Sequence, residues 1–179
     1  MHFAYYDQEI VKEIAKRTDM AEEYIRSIEE RQPLPLLPIT IGRTFTRPSD
    51  IITDQAQTVY AEQSKVIREM AQKSDCVIVG RCADYVLREL SPFRLFIYAD
   101  VKAKIERCRK KGQGQDRLNG QELQRKILSV DKSRSKYYQF YTDQVWGDKK
   151  NYDLCINTSA IEIKRAVDAI EKFLPFELY

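Results

Sequence analysis

The sequence has little histidine, cysteine and glycine, and each shortage excludes a class of protein. His2 is the only histidine, and Cys76, Cys82, Cys108 and Cys155 form no C-x-x-C pair, so a zinc site of cysteine and histidine has no ligand set. Six glycines, six prolines and 43% hydrophobic residues exclude collagen-like and disordered chains. The scattered cysteines favour a reducing cytoplasm over secretion.

Long apolar runs and a strong excess of one charge are also missing. No stretch approaches the roughly 18 apolar residues of a membrane span, and no signal-peptide pattern opens the chain. Thirty Lys and Arg against 27 Asp and Glu give a formal charge of +3, which by itself indicates neither a nucleic-acid nor a membrane partner. We therefore expect a soluble, cytoplasmic protein, and 179 residues predict a single domain.

Short apolar segments alternate with amphipathic ones, which is typical of an α/β fold. Strands are predicted at 3–6, 76–79, 95–98 and 154–156. Two of them are nearly continuous apolar runs, as in parallel strands that are covered on both faces. Polar residues follow each strand, and ligands of open parallel sheets bind outside those carboxyl ends.

Helices are predicted between these strands. The strongest signal covers 54–73, where apolar residues recur at helical spacing and indicate core packing. A helix follows the first strand, another begins at Asp19, and Asp100 is a candidate N-cap for a third. Ser159 and Glu162 predict a capping box for the last helix.

Two segments break this alternation and are predicted to be mobile excursions. Residues 32–50 contain four of the six prolines, and residues 112–120 are polar and glycine-rich. Nine cations flank the second segment: Arg107, Arg109, Lys110, Lys111, Arg125, Lys126, Lys132, Arg134 and Lys136. They would suit a lid that closes on a polyphosphate, or a solvated helical hairpin.

The strand at 76–79 ends in the most specific local sequence of the chain, which contains Gly80, Arg81 and Asp84. Glycine allows a sharp turn close to a ligand, and Arg81 could bind a phosphate or a base edge. Asp84 could orient Arg81 or accept from a base amine, and the two could also merely pair with each other. Asp7, after the first strand, is a candidate site carboxylate and a candidate N-cap.

An aromatic tract covers 137–141 and is followed by Val145 and Trp146. It could form a base-stacking platform. Aromatic residues with one apolar face could equally pack the hinge of a helix.

Three segments in the right order resemble the bacterial cytidylate kinase-like family: 3–10 (FAYYDQEI), 76–85 (CVIVGRCADY) and 146–155 (WGDKKNYDLC). The resemblance covers nearly the whole chain. It implies a P-loop NTPase-type parallel sheet flanked by helices, with an acceptor-side excursion at about 8–54 and a basic helical lid at 107–136. The implied reaction moves a phosphoryl group from ATP to a nucleoside monophosphate, most simply CMP, with Mg²⁺.

The resemblance also implies roles for individual residues. It assigns substrate binding to Asp7, Arg81, Asp84 and Asp131, catalysis to Arg107 and Arg134, and ATP binding to Arg109. In cytidylate kinases the carboxylate usually follows the arginine directly, whereas Cys82 and Ala83 intervene here. This departure leaves the preference for the cytosine base open.

A larger departure is that the 179 residues contain no G-x-x-x-x-G-K-[ST] phosphate loop. We expect the fold to lack its first strand and this loop, and we expect phosphoryl transfer by this chain to be weak or absent. One candidate for the missing strand is 38–45, in this chain or in a second copy as a homodimer; a loop is the alternative.

The rival function is a non-catalytic nucleotide-binding or scaffold module. A single-stranded nucleic-acid binder ranks last, because it leaves Gly80 and Arg81 unexplained. No membrane partner is expected.

Overall fold

A computed structural model describes residues 3–30, 48–111 and 118–174. These ranges form a mixed α/β architecture, as the sequence predicts. The elements in chain order are β1 (Ala4–Tyr6), α1 (Gln8–Thr18), α2 (Glu22–Glu30), α3 (Pro48–Lys73), β2 (Cys76–Ile78), α4 (Ala83–Val86), β3 (Leu95–Tyr98), α5 (Val101–Lys111), α6 (Gly120–Thr142), β4 (Leu154–Asn157) and α7 (Ile163–Phe173). Short 3₁₀ turns cover Arg88–Leu90 and Lys149–Asn151.

The chain divides into two compact units. Among the described residues, the β1–β2 unit contains 3–30, 48–91 and 136–143, and the β3–β4 unit contains 92–111, 118–135 and 144–174. The boundary falls inside α6, so the first part of this helix belongs to the β3–β4 unit and its last turns to the β1–β2 unit.

Each unit contains one pair of parallel strands. In the first, Ala4 lies opposite Cys76 and Tyr6 opposite Ile78; in the second, the register runs from Leu95 opposite Leu154 to the end of both strands. The predicted strands are therefore confirmed, but among the described residues they form two two-stranded sheets. Strands of three or four residues form few ladder hydrogen bonds, so helix packing must stabilise each pair.

The core of the β1–β2 unit lies on one face of its sheet. Tyr6 and Ile78 pack against buried residues of α1, α2, α3 and α4. On the opposite face, the register partners Tyr5 and Val77 are 60% and 50% exposed. The prediction that both faces of the strands are covered is thus wrong for this sheet, because its described core helices pack on a single face.

The helix boundaries correct two predictions and confirm one. Asp100 is a helix cap as predicted, since its Oδ1 accepts from the backbone N–H of Ala103 at 2.7 Å. Asp19 does not begin a helix; it ends α1 in the left-handed conformation, with φ of 53°. Ser159 forms no capping box, because its hydroxyl bonds Asn157 and the backbone of Asp100 instead.

In the β3–β4 unit, an aromatic cluster joins β3 to the segment that precedes β4. The Phe96 ring lies 5.3 Å from Trp146 and 4.9 Å from Tyr152 between centroids. Gly147, with φ of +80°, packs so closely that an added Cβ would lie 2.9 Å from the Phe96 ring. The 146–155 segment therefore has a packing role in which only glycine fits at position 147.

The predicted excursions overlap the described residues only in part. The backbone of α3 begins at Pro48, and Gly120 is the first residue of α6. The predicted excursions at 32–50 and 112–120 therefore each run into the start of a helix. The candidate replacement strand at 38–45 lies outside the described residues. Within the described ranges, no helix has the length and apolar character needed to cross a bilayer.

Candidate functional site

The structure brings two predicted site residues together at the carboxyl end of the β1–β2 sheet. Asp7 follows β1 directly, and Arg81 lies in the turn after β2. Because the strands are parallel, both residues lie at one edge of the sheet, where Arg81 Nη1 donates to Asp7 Oδ1 at 3.0 Å. The Arg81 side chain is 10% exposed and that of Asp7 39%, so the carboxylate is the more solvated partner.

Arg81 occupies an unusual backbone turn. Gly80, Arg81 and Cys82 have φ of +72°, +55° and +55°, and a left-handed residue other than glycine costs roughly 1–2 kcal/mol. The turn is held by a hydrogen bond from Ala83 N to Gly80 O at 3.0 Å. A second bond joins Gln63 Nε2 to the Arg81 carbonyl, also at 3.0 Å. Strain that the surrounding structure maintains in this way is typical of functional sites.

Asp84 lies in the first turn of α4 and has a partner that the sequence did not identify. The Tyr138 hydroxyl, from the last turns of α6, donates to Asp84 Oδ2 at 2.6 Å. The structure thus pairs Arg81 with Asp7 and Asp84 with Tyr138. The interpretation in which Arg81 and Asp84 simply neutralise each other is not the arrangement found.

The aromatic tract at the end of α6 packs against α3. The rings of Tyr60 and Tyr141 stack with 3.9 Å between centroids, and Tyr137 lies 4.7 Å from Tyr141. Burial raises the pKa of Tyr60 and of Tyr141 to about 12, so both hydroxyls stay protonated near neutral pH. Tyr137 and Tyr138 are 8% and 5% exposed, whereas Phe140 is 38% exposed, so these two tyrosines pack inside the unit while the Phe140 ring stays partly exposed.

Arg107, predicted to act in catalysis, binds the carboxyl end of β4. Its guanidinium donates to Thr158 Oγ1 at 2.9 Å and also to the Thr158 carbonyl. Thr158 is 1% exposed, and its hydroxyl donates to the Tyr98 carbonyl at 3.0 Å. In this structure Arg107 therefore ties α5 to the end of the β3–β4 sheet.

The remaining predicted lid residues have separate surroundings. Asp131 forms an ion pair with Lys104 at 2.5 Å. Arg109 is exposed. Its Nη2 lies close to Gly120, since a Cβ added to that glycine would stand 3.2 Å from it. Arg134 is exposed on α6. The predicted lid residues therefore have different local environments in the β3–β4 unit.

Magnesium has no preformed protein cage among the described residues. No group of three or more His, Cys, Asp or Glu side chains in these ranges could hold a metal ion. The described residues therefore do not fit an all-protein Mg²⁺ site, and we assign no residue to the ion.

Comparison with known proteins supports the family resemblance. The model of the cytidylate kinase-like family matches residues 1–160. The crystal structure of an uncharacterized protein from Eubacterium ventriosum ATCC 27560 is similar, with a TM-score of 0.60 and 25% identity over 92% of this chain and 89% of that one. No curated protein matches the chain. With most of its length matched by the family model, the chain belongs to the cytidylate kinase-like family.

Proposed function

We propose that the carboxyl end of the β1–β2 sheet binds a nucleoside monophosphate, with CMP as the first candidate. The observation that supports this most is Arg81, a largely buried cation held in a left-handed turn beside the more solvated Asp7. A guanidinium matches the geometry of a phosphate. Asp84, fixed by Tyr138 in the same unit, would accept hydrogen bonds from the base.

We propose that a longer form of the protein, one that includes a phosphate loop, transfers a phosphoryl group from ATP to this monophosphate. A phosphate oxygen of the monophosphate would attack the γ-phosphorus while the bond to ADP breaks. Arg107 and Arg134 would neutralise charge on the transferring group, Arg109 would bind ATP, and Asp131 would contact substrate. Arg107 would first have to leave Thr158, its partner in this structure. Mg²⁺ would be carried mainly by the ATP phosphates.

For these 179 residues alone, we propose weak or absent transfer. Such transfer depends on positioning and charge neutralisation, and the backbone N–H groups and lysine of a phosphate loop normally provide both. The sequence contains no such loop. This observation also favours the second candidate function, a nucleotide-binding module that performs no chemistry.

A coupled kinase assay with CMP, dCMP, UMP and AMP tests the transfer step. We expect turnover far below the roughly 1–100 per second of ordinary kinases. A rate inside that range would refute the proposed dependence on the loop.

Calorimetry with the same four monophosphates and with ATP then tests the binding site. We expect CMP to bind and ATP to bind weakly or not at all. Absence of binding by all four monophosphates would overturn the proposed site. CMP binding without turnover would favour the non-catalytic module.

A further inference from the structure

Gln63 is a fully buried polar side chain to which the proposed function assigns no role. It lies in α3, is 0% exposed, and its amide group needs hydrogen-bond partners because an unpaired buried amide is costly. Nε2 lies 3.0 Å from the Arg81 carbonyl and 3.3 Å from the Tyr137 hydroxyl. Gln63 therefore links the end of α6 to the backbone of the turn that carries Arg81.

The next residue of α6 contacts the other half of the proposed pocket. Tyr138 donates to Asp84 at 2.6 Å, and its ring is buried. Adjacent tyrosines thus reach the two pocket residues by different routes: Tyr137 through Gln63 to the backbone of Arg81, and Tyr138 directly to the Asp84 carboxylate. All these residues belong to the β1–β2 unit.

We propose that Tyr137 and Tyr138, together with Gln63, are positioning residues for the monophosphate site, fixing the Arg81 backbone and the Asp84 carboxylate in their binding orientations. The inference rests on the proposed function. None of the three side chains needs to touch the ligand, because each acts through Arg81 or Asp84.

The physical need for such support is clearest at Arg81. Its left-handed backbone, with φ of +55°, is a conformation that arginine does not favour. A return to an ordinary backbone region would redirect the guanidinium away from the strand ends. Misplacement by about 1 Å can lower the efficiency of a site by about 100-fold. A hydrogen bond from a buried amide to the Arg81 carbonyl opposes that change, since buried polar networks stabilise one arrangement.

Removal of single hydroxyls tests the proposal with little disturbance of packing. Y137F and Y138F each delete one hydroxyl of the network, and Y141F is the matched control because its hydroxyl donates to the Ala56 carbonyl at 3.2 Å, outside the pocket. We expect Y137F and Y138F to weaken CMP binding in calorimetry about tenfold, and Y141F to change it less than twofold. Equal effects of all three variants would overturn the proposal.

A double-mutant cycle separates positioning from general stability. If Tyr138 acts through Asp84, Y138F should have little further effect on CMP affinity in a D84A background, which leaves no acceptor for the Tyr138 hydroxyl at position 84. Fully additive losses of affinity would show that Tyr138 acts elsewhere and would overturn its assignment.

Amide hydrogen exchange gives a readout that needs no nucleotide. The N–H groups of Ala83 and Tyr85 donate to Gly80 and Cys82 within the turn. We expect Y137F and Q63L to accelerate exchange at these two amides about tenfold relative to amides of α1, because each variant removes one hydrogen bond that opposes local opening, and we expect Y141F to leave exchange unchanged. Unchanged exchange in both variants would overturn the inference. If the parent chain binds no monophosphate, the proposed function fails, whereas the exchange result still decides whether Gln63 and Tyr137 hold the turn.

Discussion

The two parallel strand pairs end in the same way, with an arginine at their carboxyl edge, but the two arginines have different partners. Arg81 forms an ion pair with the half-exposed side chain of Asp7. Arg107 donates to the hydroxyl and carbonyl of buried Thr158. An incoming phosphate could compete with a solvated carboxylate for Arg81, whereas Arg107 completes hydrogen bonds at a buried strand end. The comparison supports the proposed binding role of Arg81, and it shows that Arg107 makes a structural contact in this conformation.

We expect the largest loss of stability from a substitution at Gly147 in the β3–β4 unit, with Gly80 in the β1–β2 unit as its control. G147A places a Cβ 2.9 Å from the Phe96 ring at a φ of +80°, so overpacking adds to backbone strain. We expect a loss of about 2–4 kcal/mol in the free energy of unfolding by urea denaturation. G80A is the control, because its φ is +72° but nothing lies within 4 Å of an added Cβ; it should lose only about 1 kcal/mol. Equal losses would contradict the packing role of Gly147.

Removal of the Arg81 cation tests the binding half of the comparison. R81A should weaken CMP binding about 10- to 100-fold, because hydrogen bonds to charged groups contribute roughly 1.5–3 kcal/mol. R88A removes the same charge from an exposed arginine that lies over the Tyr85 ring, and it should leave the affinity unchanged. If calorimetry finds the same affinity for R81A and the parent, Arg81 is not the phosphate ligand.

Removal of the Thr158 hydroxyl tests the structural half. T158V deletes the bond to the Tyr98 carbonyl and one partner of Arg107. We expect the free energy of unfolding to fall by about 1–2 kcal/mol, with CMP affinity retained. A loss of CMP affinity comparable with that of R81A would contradict the distinction between the two strand ends.

The smallest effect concerns an ion pair beside β3 and β4. Hydrogen bonds from Arg94 hold the pKa of Asp153 below its ordinary 3.8. The carboxylate therefore contributes stability above that pH, and the contribution is lost as the pH falls through the lower folded pKa. Both side chains are 35% exposed, so D153N should cost at most about 1 kcal/mol at pH 7.

Denaturation at several pH values checks this sign. The difference between D153N and the parent should shrink as the pH falls below 3.8. A difference that grows in acid would show that another group is responsible.

The sequence predicts the local elements well because their signals are local. Apolar runs locate all four described strands within about one residue, and the helical spacing of Val59, Val66 and Ile67 identifies core positions that are at most 1% exposed. Helix ends were harder to predict, since capping depends on competing partners. Ser159 bonds Asn157 and Asp100, while Asn119 and Glu122 form an unpredicted capping box at α6.

The candidate site could be predicted only in part. Sequence identified Asp7, Arg81 and Asp84, but their partners are 54 to 74 positions away along the chain, and no local pattern encodes such pairings. The aromatic tract was the only signal for Tyr138. The buried amide of Gln63 gave no signal at all, because a glutamine on a helix is ordinarily exposed.

The engagement of Asp7 has a consequence for the beginning of α1. Asp7 stands at the N-cap position, yet its carboxylate makes no capping hydrogen bond, since it is committed to Arg81. Glu9 accepts from the Asp7 N–H instead, at 3.2 Å. A phosphate that displaced Asp7 from Arg81 would release a carboxylate next to the open N–H groups of the first turn. Occupancy of the pocket and fraying of α1 would then be thermodynamically linked, and a ligand would tighten a helix that it never touches.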